Sequence, residues 1–279
     1  MRALPPKPYT AAPADAGTLV QQPAAARQLW EPLLNLAENS DWLVAGSVGE
    51  VGGGREPFRI PRFIFMGPRG GGDTIRLGIF AAIHGDEPEG AEAVVAFLQE
   101  LESAPELARG YHIHAYPLCN PTGFAARTRT NASGQDLAGQ FWRGSTQPEV
   151  YYLEREMGVH HFQGVISLHC ENNPGSFSAS TRSSILNAAL VQPAVDATRK
   201  FIPGVLPAQG NHTDSPAESF PAASPGFLTA TDELNPAPFE INLRMPRRAP
   251  KPSQIHGTVA ALKSILGSYR ALLALRQNI

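Results

Sequence analysis

At 279 residues with a formal charge of −2, the chain has the length for one large domain or at most two small ones, and little electrostatic case for nucleic acid or a polybasic membrane contact. Its two cysteines, Cys119 and Cys170, cannot build a disulfide framework, so no oxidising compartment is required. No segment approaches about 18 consecutive apolar residues and the N-terminus lacks a signal-type apolar core, which sets the expectation of a soluble, cytoplasmic protein with no nucleic-acid or membrane partner.

Residues 1–25 are rich in Pro and Ala and read as an extended N-terminal arm, followed by one domain over 26–279 that opens on a short helix near Ala24–Glu38. "WLVAGSVGEV" and "FRIPRFIFMG" read as two strands joined by a Gly-rich turn, and a buried strand follows over Ile75–Ile83. "EPEGAEAVVAFLQEL" has apolar positions at helical spacing, with Pro88 suited to the first turn. "YHIHAYPLC" is a further strand ending at "NPTG", and residues 120–144 are polar and Gly-rich, as in a functional loop. "FQGVISLHC" is again a strand, and "SSILNAALVQPAVDATRKF" a helix interrupted near Pro193. The Pro-rich span 203–238 reads as a long loop, "PFEINLRM" as a late strand and "SQIHGTVAALKSILGSYRALLAL" as a terminal helix. Strands alternating with helices give an α/β class: a mostly parallel mixed central sheet flanked by helices, its first strands antiparallel at one edge. In such sheets ligands bind at the carboxyl ends of the strands, where His84, Asn120 and His169 fall.

His84 ends a strand, and Glu87 follows three residues on at a helix start, a turn able to aim imidazole and carboxylate at one point. Catalytic zinc uses three protein ligands and leaves a position for water. His169, at the end of "GVISLHC", is the natural third. The plainer reading has Glu87 favouring a helix N-terminus electrostatically and the histidines satisfied within the structure. Cys170 follows His169, but strand alternation points the two to opposite faces, so it reads as a structural thiol. His112 and His114 share a strand face, and "MPRRAPK" reads as solvated surface.

"HGDEPEG", "NPTG", "RTNASGQDL", "SLHC" and "FEINLRMP", in that order, resemble the zinc metallocarboxypeptidase family, and most closely its succinylglutamate desuccinylase/aspartoacylase branch. The resemblance spans about residues 42–276. It implies a zinc-carboxypeptidase-like fold and one Zn2+ per chain held by His84, Glu87 and His169. It further implies Glu240 as general base and Arg129 facing the oxyanion, with Arg127 as the nearby alternative. The implied activity is hydrolysis of an amide bond by a zinc-activated water, in a small peptide or an acylated amino acid. The family pattern breaks after "DL", where Ala138 and Gly139 stand in place of an Asn-Arg pair that grips the substrate carboxylate. Asn120, Arg127 and Arg143 are the substrate-binding candidates, and Arg244 is a further arginine able to substitute. No tyrosine lies between Tyr152 and Tyr269, so the mobile tyrosine of many carboxypeptidases is missing too. The 39 residues after Glu240 read mostly as one helix, which favours a bare catalytic domain. An intact Glu240 and Arg129 favour an enzyme; the lost pair leaves as alternative a catalytically weakened zinc-binding module.

Overall fold

The computed structural model describes residues 24–52, 57–171, 176–181, 183–202, 234 and 236–277; residues 1–23 of the expected arm and most of the Pro-rich span lie outside these. Seven strands form one sheet: β1 Leu43–Val51, β2 Phe58–Met66, β3 Ile75–Phe80, β4 Tyr111–Tyr116, β5 Gly164–Glu171, β6 Ser178–Ser180 and β7 Phe239–Pro246. Their order is β1-β2-β4-β3-β5-β7-β6. The four central strands β4, β3, β5 and β7 run parallel, while β1, β2 and β6 are antiparallel to their neighbours. β1 carries a register shift between Ser47 and Glu50, and β6 is three residues long.

The helices are α1 Ala24–Ala37, α2 Pro88–Ser103, α3 Pro121–Ala126, α4 Pro148–His160, α5 Ser184–Leu186, α6 Gln192–Thr198 and α7 Lys251–Gln277. A π turn, Asn187–Val191, joins α5 to α6 without a break, and Pro193 follows just after it. Strand alternation sends Leu77, Ile79, Ile166, Leu168, Ile241 and Leu243 to one face, where Trp30 of α1, Phe97 of α2 and Leu262 of α7 cover them. The opposite face carries Phe80, Tyr116 and Val165, covered by Val150, Leu153 and Met157 of α4 and by Leu137 and Phe141. α7 is the one described helix long and apolar enough to cross a membrane, and Val259, Leu262, Ile265 and Leu266 bury its apolar side in the core.

Beneath α4 lies a charged group. Tyr116 Oη and Arg62 Nη1 donate to Glu156 Oε2 at 2.7 and 3.0 Å, and His160 Nε2 lies 3.4 Å from the same oxygen. His114 is buried with its ring 4.2 Å from that of His160. Burial raises the Glu156 carboxyl, but the His160 hydrogen bond, the Arg62 charge and Tyr116 outweigh it and hold it at about 2. Burial, with His160 and Arg62 nearby, depresses the His114 imidazole to about 3.

Candidate metal centre

The apolar run from Ile75 does not continue as strand to Ile83, as expected, but ends at Phe80. The chain then turns: Ala82 is fully buried with φ 47°, a left-handed conformation uncommon for a residue with a Cβ. Surrounding bonds pin it there. Cys119 N donates to Ala81 O, Asn120 N to Ala82 O, and the Asn120 side chain to Ile83 O. Glu87 N closes the turn on His84 O at 3.1 Å, and Pro88 begins α2. Gly85 is needed here, because a Cβ on it would lie 2.0–2.5 Å from backbone atoms of Gly123 and Phe124 in α3.

This turn and the end of β5 bring His84, Glu87 and His169 together, with one ligand atom from each within 4.8 Å of the others. His84 Nδ1 is 3.0 Å from Glu87 Oε1, and His169 Nδ1 is 3.6 Å from Glu87 Oε2. Two ligands on a tetrahedral zinc at about 2.0–2.1 Å would stand roughly 3.3 Å apart, which these separations bracket. Glu87 is 1% exposed, and its Oε2 has no hydrogen-bond partner among the described residues. Burial raises its carboxyl most, but the adjacent His169 and His84 imidazoles together outweigh it and hold it at about 2, ionised as a ligand must be. An acidic buried atom without a donor, between two imidazoles, fits a divalent cation. Cys170 points away, its Sγ 3.5 Å from Glu89 Oε2.

Asp136 stands on the far side of His84, with Oδ1 3.3 Å from Nε2. A carboxylate there favours the proton on Nε2 and leaves Nδ1 free to ligate. Burial raises the Asp136 carboxyl, but the Arg129 hydrogen bond and the His84 charge lower it overall. Arg129 Nε donates to Asp136 Oδ2 at 2.8 Å, so Arg129 is tied to the cluster through Asp136. Arg247 was read as solvated, yet its Nη1 donates to Asp86 O at 3.1 Å and its Nη2 lies 3.5 Å from Glu87 Oε1. Asp136 is the acidic residue of "RTNASGQDL", to which no role was assigned, and Arg247 has no spacing signal; both are placed by loops returning over the sheet.

Two expected residues are placed elsewhere. Glu240 pairs with Val165, whereas His169 pairs with Arg244, four residues further along β7. At a rise of about 3.3 Å per residue, Glu240 lies roughly 13 Å down the sheet from the level of His169. It is buried under the opposite end of the sheet and cannot act on a group at the cluster. Asn120 is fully buried as the N-cap of α3; its Oδ1 accepts from Gly123 N and Thr122 Oγ1, and its Nδ2 donates to Ile83 O. With both ends of the amide engaged, Asn120 builds the metal turn rather than contacting substrate. Arg127, left-handed at the C-cap of α3, and Arg143 are exposed, and neither makes a side-chain hydrogen bond or ion pair among the described residues.

A mixed α/β sheet with a His-x-x-Glu turn and a distant strand-end His at the carboxyl ends of its parallel strands defines a chain of the zinc-carboxypeptidase type. The chain belongs to the succinylglutamate desuccinylase/aspartoacylase family, whose catalytic-domain model matches residues 73–238. That match stops at the edge of β7. Solved structures share the fold. A candidate metallopeptidase of Shewanella amazonensis SB2B is 19% identical, with 87% of this chain and 93% of that one covered at a TM-score of 0.64. A metallo-carboxypeptidase of Burkholderia cenocepacia is 12% identical over 86% and 68%, with a TM-score of 0.65. A succinylglutamate desuccinylase of Silicibacter sp. TM1040 is 16% identical over 83% and 68%, with a TM-score of 0.54. No curated protein sequence matches the chain.

Proposed function

We propose that this chain is a zinc-dependent hydrolase that cleaves an amide bond in a small peptide or an acylated amino acid. The observation that carries the reading is the convergence of His84, Glu87 and His169 at the carboxyl ends of the parallel strands. Zinc held by these three supplies a water of lowered pKa, about 7, and polarises a carbonyl. Asp136, with Oδ1 3.3 Å behind His84 Nε2, favours electrostatically the tautomer that leaves Nδ1 to ligate. Arg129 uses Nε on Asp136, which leaves both terminal nitrogens to face an oxyanion as negative charge develops on the substrate.

One observation supports a second reading. The sole carboxylate of β7 is Glu240, far from the cluster, so β7 has no side chain there to take a proton from water. A zinc-binding chain with little turnover would have that arrangement; the family and fold likeness favour the hydrolase. Zinc-loaded protein screened against peptides and N-acyl amino acids separates them. Amide release that a chelator abolishes and zinc restores is the expected result. Stoichiometric zinc with no hydrolysis across the panel would leave the binding reading, and protein that holds no zinc would refute both.

A further inference from the structure

Where the family resemblance implies an Asn-Arg pair, the loop after Asp136 carries Ala138 and Gly139, which offer neither an amide nor a guanidinium side chain. The same two chemical groups reappear on β7, in "INLRM". Paired residues of parallel strands project to the same face with their backbones about 4.8 Å apart. Arg244 pairs with His169, so its side chain leaves the sheet beside a metal ligand. Asn242 pairs with Ser167 and lies two residues earlier, on the same face, one row deeper. β6 completes the tract: Ser178 pairs with Arg244 and Ser180 with Asn242.

The donors of this tract are under-used. Arg244 is half-buried, and among the described residues its one side-chain hydrogen bond is from Nη1 to Ser180 Oγ at 3.3 Å. A guanidinium has five N–H groups and no acceptor, so most of its fork has no protein partner there. Asn242 is 3% exposed; its Oδ1 meets the Ser167 hydroxyl, while its Nδ2 is buried without an acceptor among the described residues. A buried donor left unmatched costs free energy, which an acidic ligand at this place would recover. Arg127 and Arg143, the other substitutes, are exposed, and no contact links either to the cluster.

We infer that Arg244, with Asn242 beneath it, forms the carboxylate-recognising subsite of this chain and takes over the task of the missing Asn-Arg pair. The inference rests on the metallohydrolase reading for its setting. In an N-acyl amino acid the carboxylate carbon lies roughly 4 Å from the scissile carbonyl carbon. A substrate with its carbonyl at the cluster therefore brings its carboxylate within reach of a side chain one strand away. The ligand class is an acyl amino acid or dipeptide with a free carboxylate. The bond is charge-assisted and can be bidentate, which a neutral amide in the same place cannot reproduce.

Binding tests this independently of turnover. Zinc-loaded full-length protein is titrated calorimetrically with succinate and with succinamate, the same molecule with one carboxylate made an amide. The two carboxylates of succinate can occupy the metal and the subsite together, so wild type should prefer it by roughly 10- to 100-fold. Arg244→Ala should erase the preference, weakening succinate by that factor while leaving succinamate and zinc content unchanged. Arg244→Lys should restore part of it, since a point charge remains without the fork. Equal affinity of wild type for the two ligands, no succinate binding, or a preference that survives Arg244→Ala would each overturn the inference. Loss of both ligands together with loss of zinc would show that Arg244 only supports the metal centre, and would overturn it too. Absence of hydrolysis in the panel above would defeat the enzymatic reading and leave this measurement standing.

Discussion

Gly85→Ala should uncouple the metal turn from the helix it rests on. A Cβ at this position would stand 2.0 Å from Gly123 C, 2.3 Å from Phe124 N and 2.5 Å from Gly123 O. Ordinary contact begins near 3.4 Å, so one backbone must retreat by about 1.4 Å, and neither side offers a flexible side chain to absorb it. Gly123 is itself hemmed in, because a Cβ on it would lie 2.4 Å from Thr130 O. Overpacking of this kind costs about 1–3 kcal/mol. At about 2–4 °C per kcal/mol for a domain of this size, the expected loss in Tm is several degrees. The effect on metal should be sharper. Zinc ligands hold their distances within about 0.2 Å, and His84 is the adjacent residue, so zinc affinity should fall at least roughly tenfold. The assay is calorimetric melting of metal-free protein, with zinc affinity from competition against a chromophoric chelator. Gly139→Ala is the control: its φ is not left-handed and its Cβ would meet nothing within 4 Å, so the melt should be unchanged. If Gly85→Ala melts with wild type and binds zinc as tightly, the backbone contact between the two motifs is not what holds the turn.

His84→Ala or His169→Ala should drop zinc from about one per chain to a small fraction by elemental analysis, and full retention would move the metal elsewhere. Glu240→Gln should keep zinc and leave turnover within about threefold, any loss appearing in the melt instead; a fall of ~10² would place this carboxylate at the chemistry against the strand register. The group under α4 predicts an acid-sensitive fold. Glu156 (about 2 folded, 4.5 as reference) and His114 (about 3 folded, 6.5 as reference) are both depressed, so the unfolded chain binds more protons. Stability from His114 is complete above about pH 6.5 and lost towards 3, and that from Glu156 is complete above about 4.5 and lost towards 2. Melting of metal-free protein across pH 3–8 should show this decline, and His114→Gln should flatten its upper part; a flat profile in wild type would contradict the network.

The longer strands were legible because each contains an apolar run bounded by Gly, Pro or polar residues, as with "LGIFAAI" and "GVISL", whereas β6, only Ser-Ala-Ser, gave no such signal. The cluster of His84, Glu87 and His169 was legible for a related reason: a histidine that terminates such a run sits at a sheet end, and His-x-x-Glu closes a turn. Register was not. β5 and β7 are buried on both faces, so neither strand's pattern says which residue of one lies beside which of the other. Glu240 was therefore assigned correctly to a strand, while its distance from the level of His169 was not legible. Asp136 lay inside "RTNASGQDL" with no role assigned to it, and Arg247 escaped because it meets the cluster through loop geometry, with no periodicity to announce it. α4, with Tyr151, Tyr152 and Glu154 among its apolar positions, has a diluted helical pattern that hid thirteen residues of helix.

The two margins of the sheet differ from its centre in what they offer to another chain. A straight margin strand with unpaired N–H and C=O groups is a template for a further strand. Here β1 is interrupted by the shift between Ser47 and Glu50, and β6 has only Ser178–Ser180, too few residues for a continuous ladder. Growth of the sheet by addition at either side is disfavoured. The side next to β7 is also the side of the candidate metal cluster, so the brevity of β6 leaves little ladder beside His169 and Arg244 for an extended polypeptide laid along the margin.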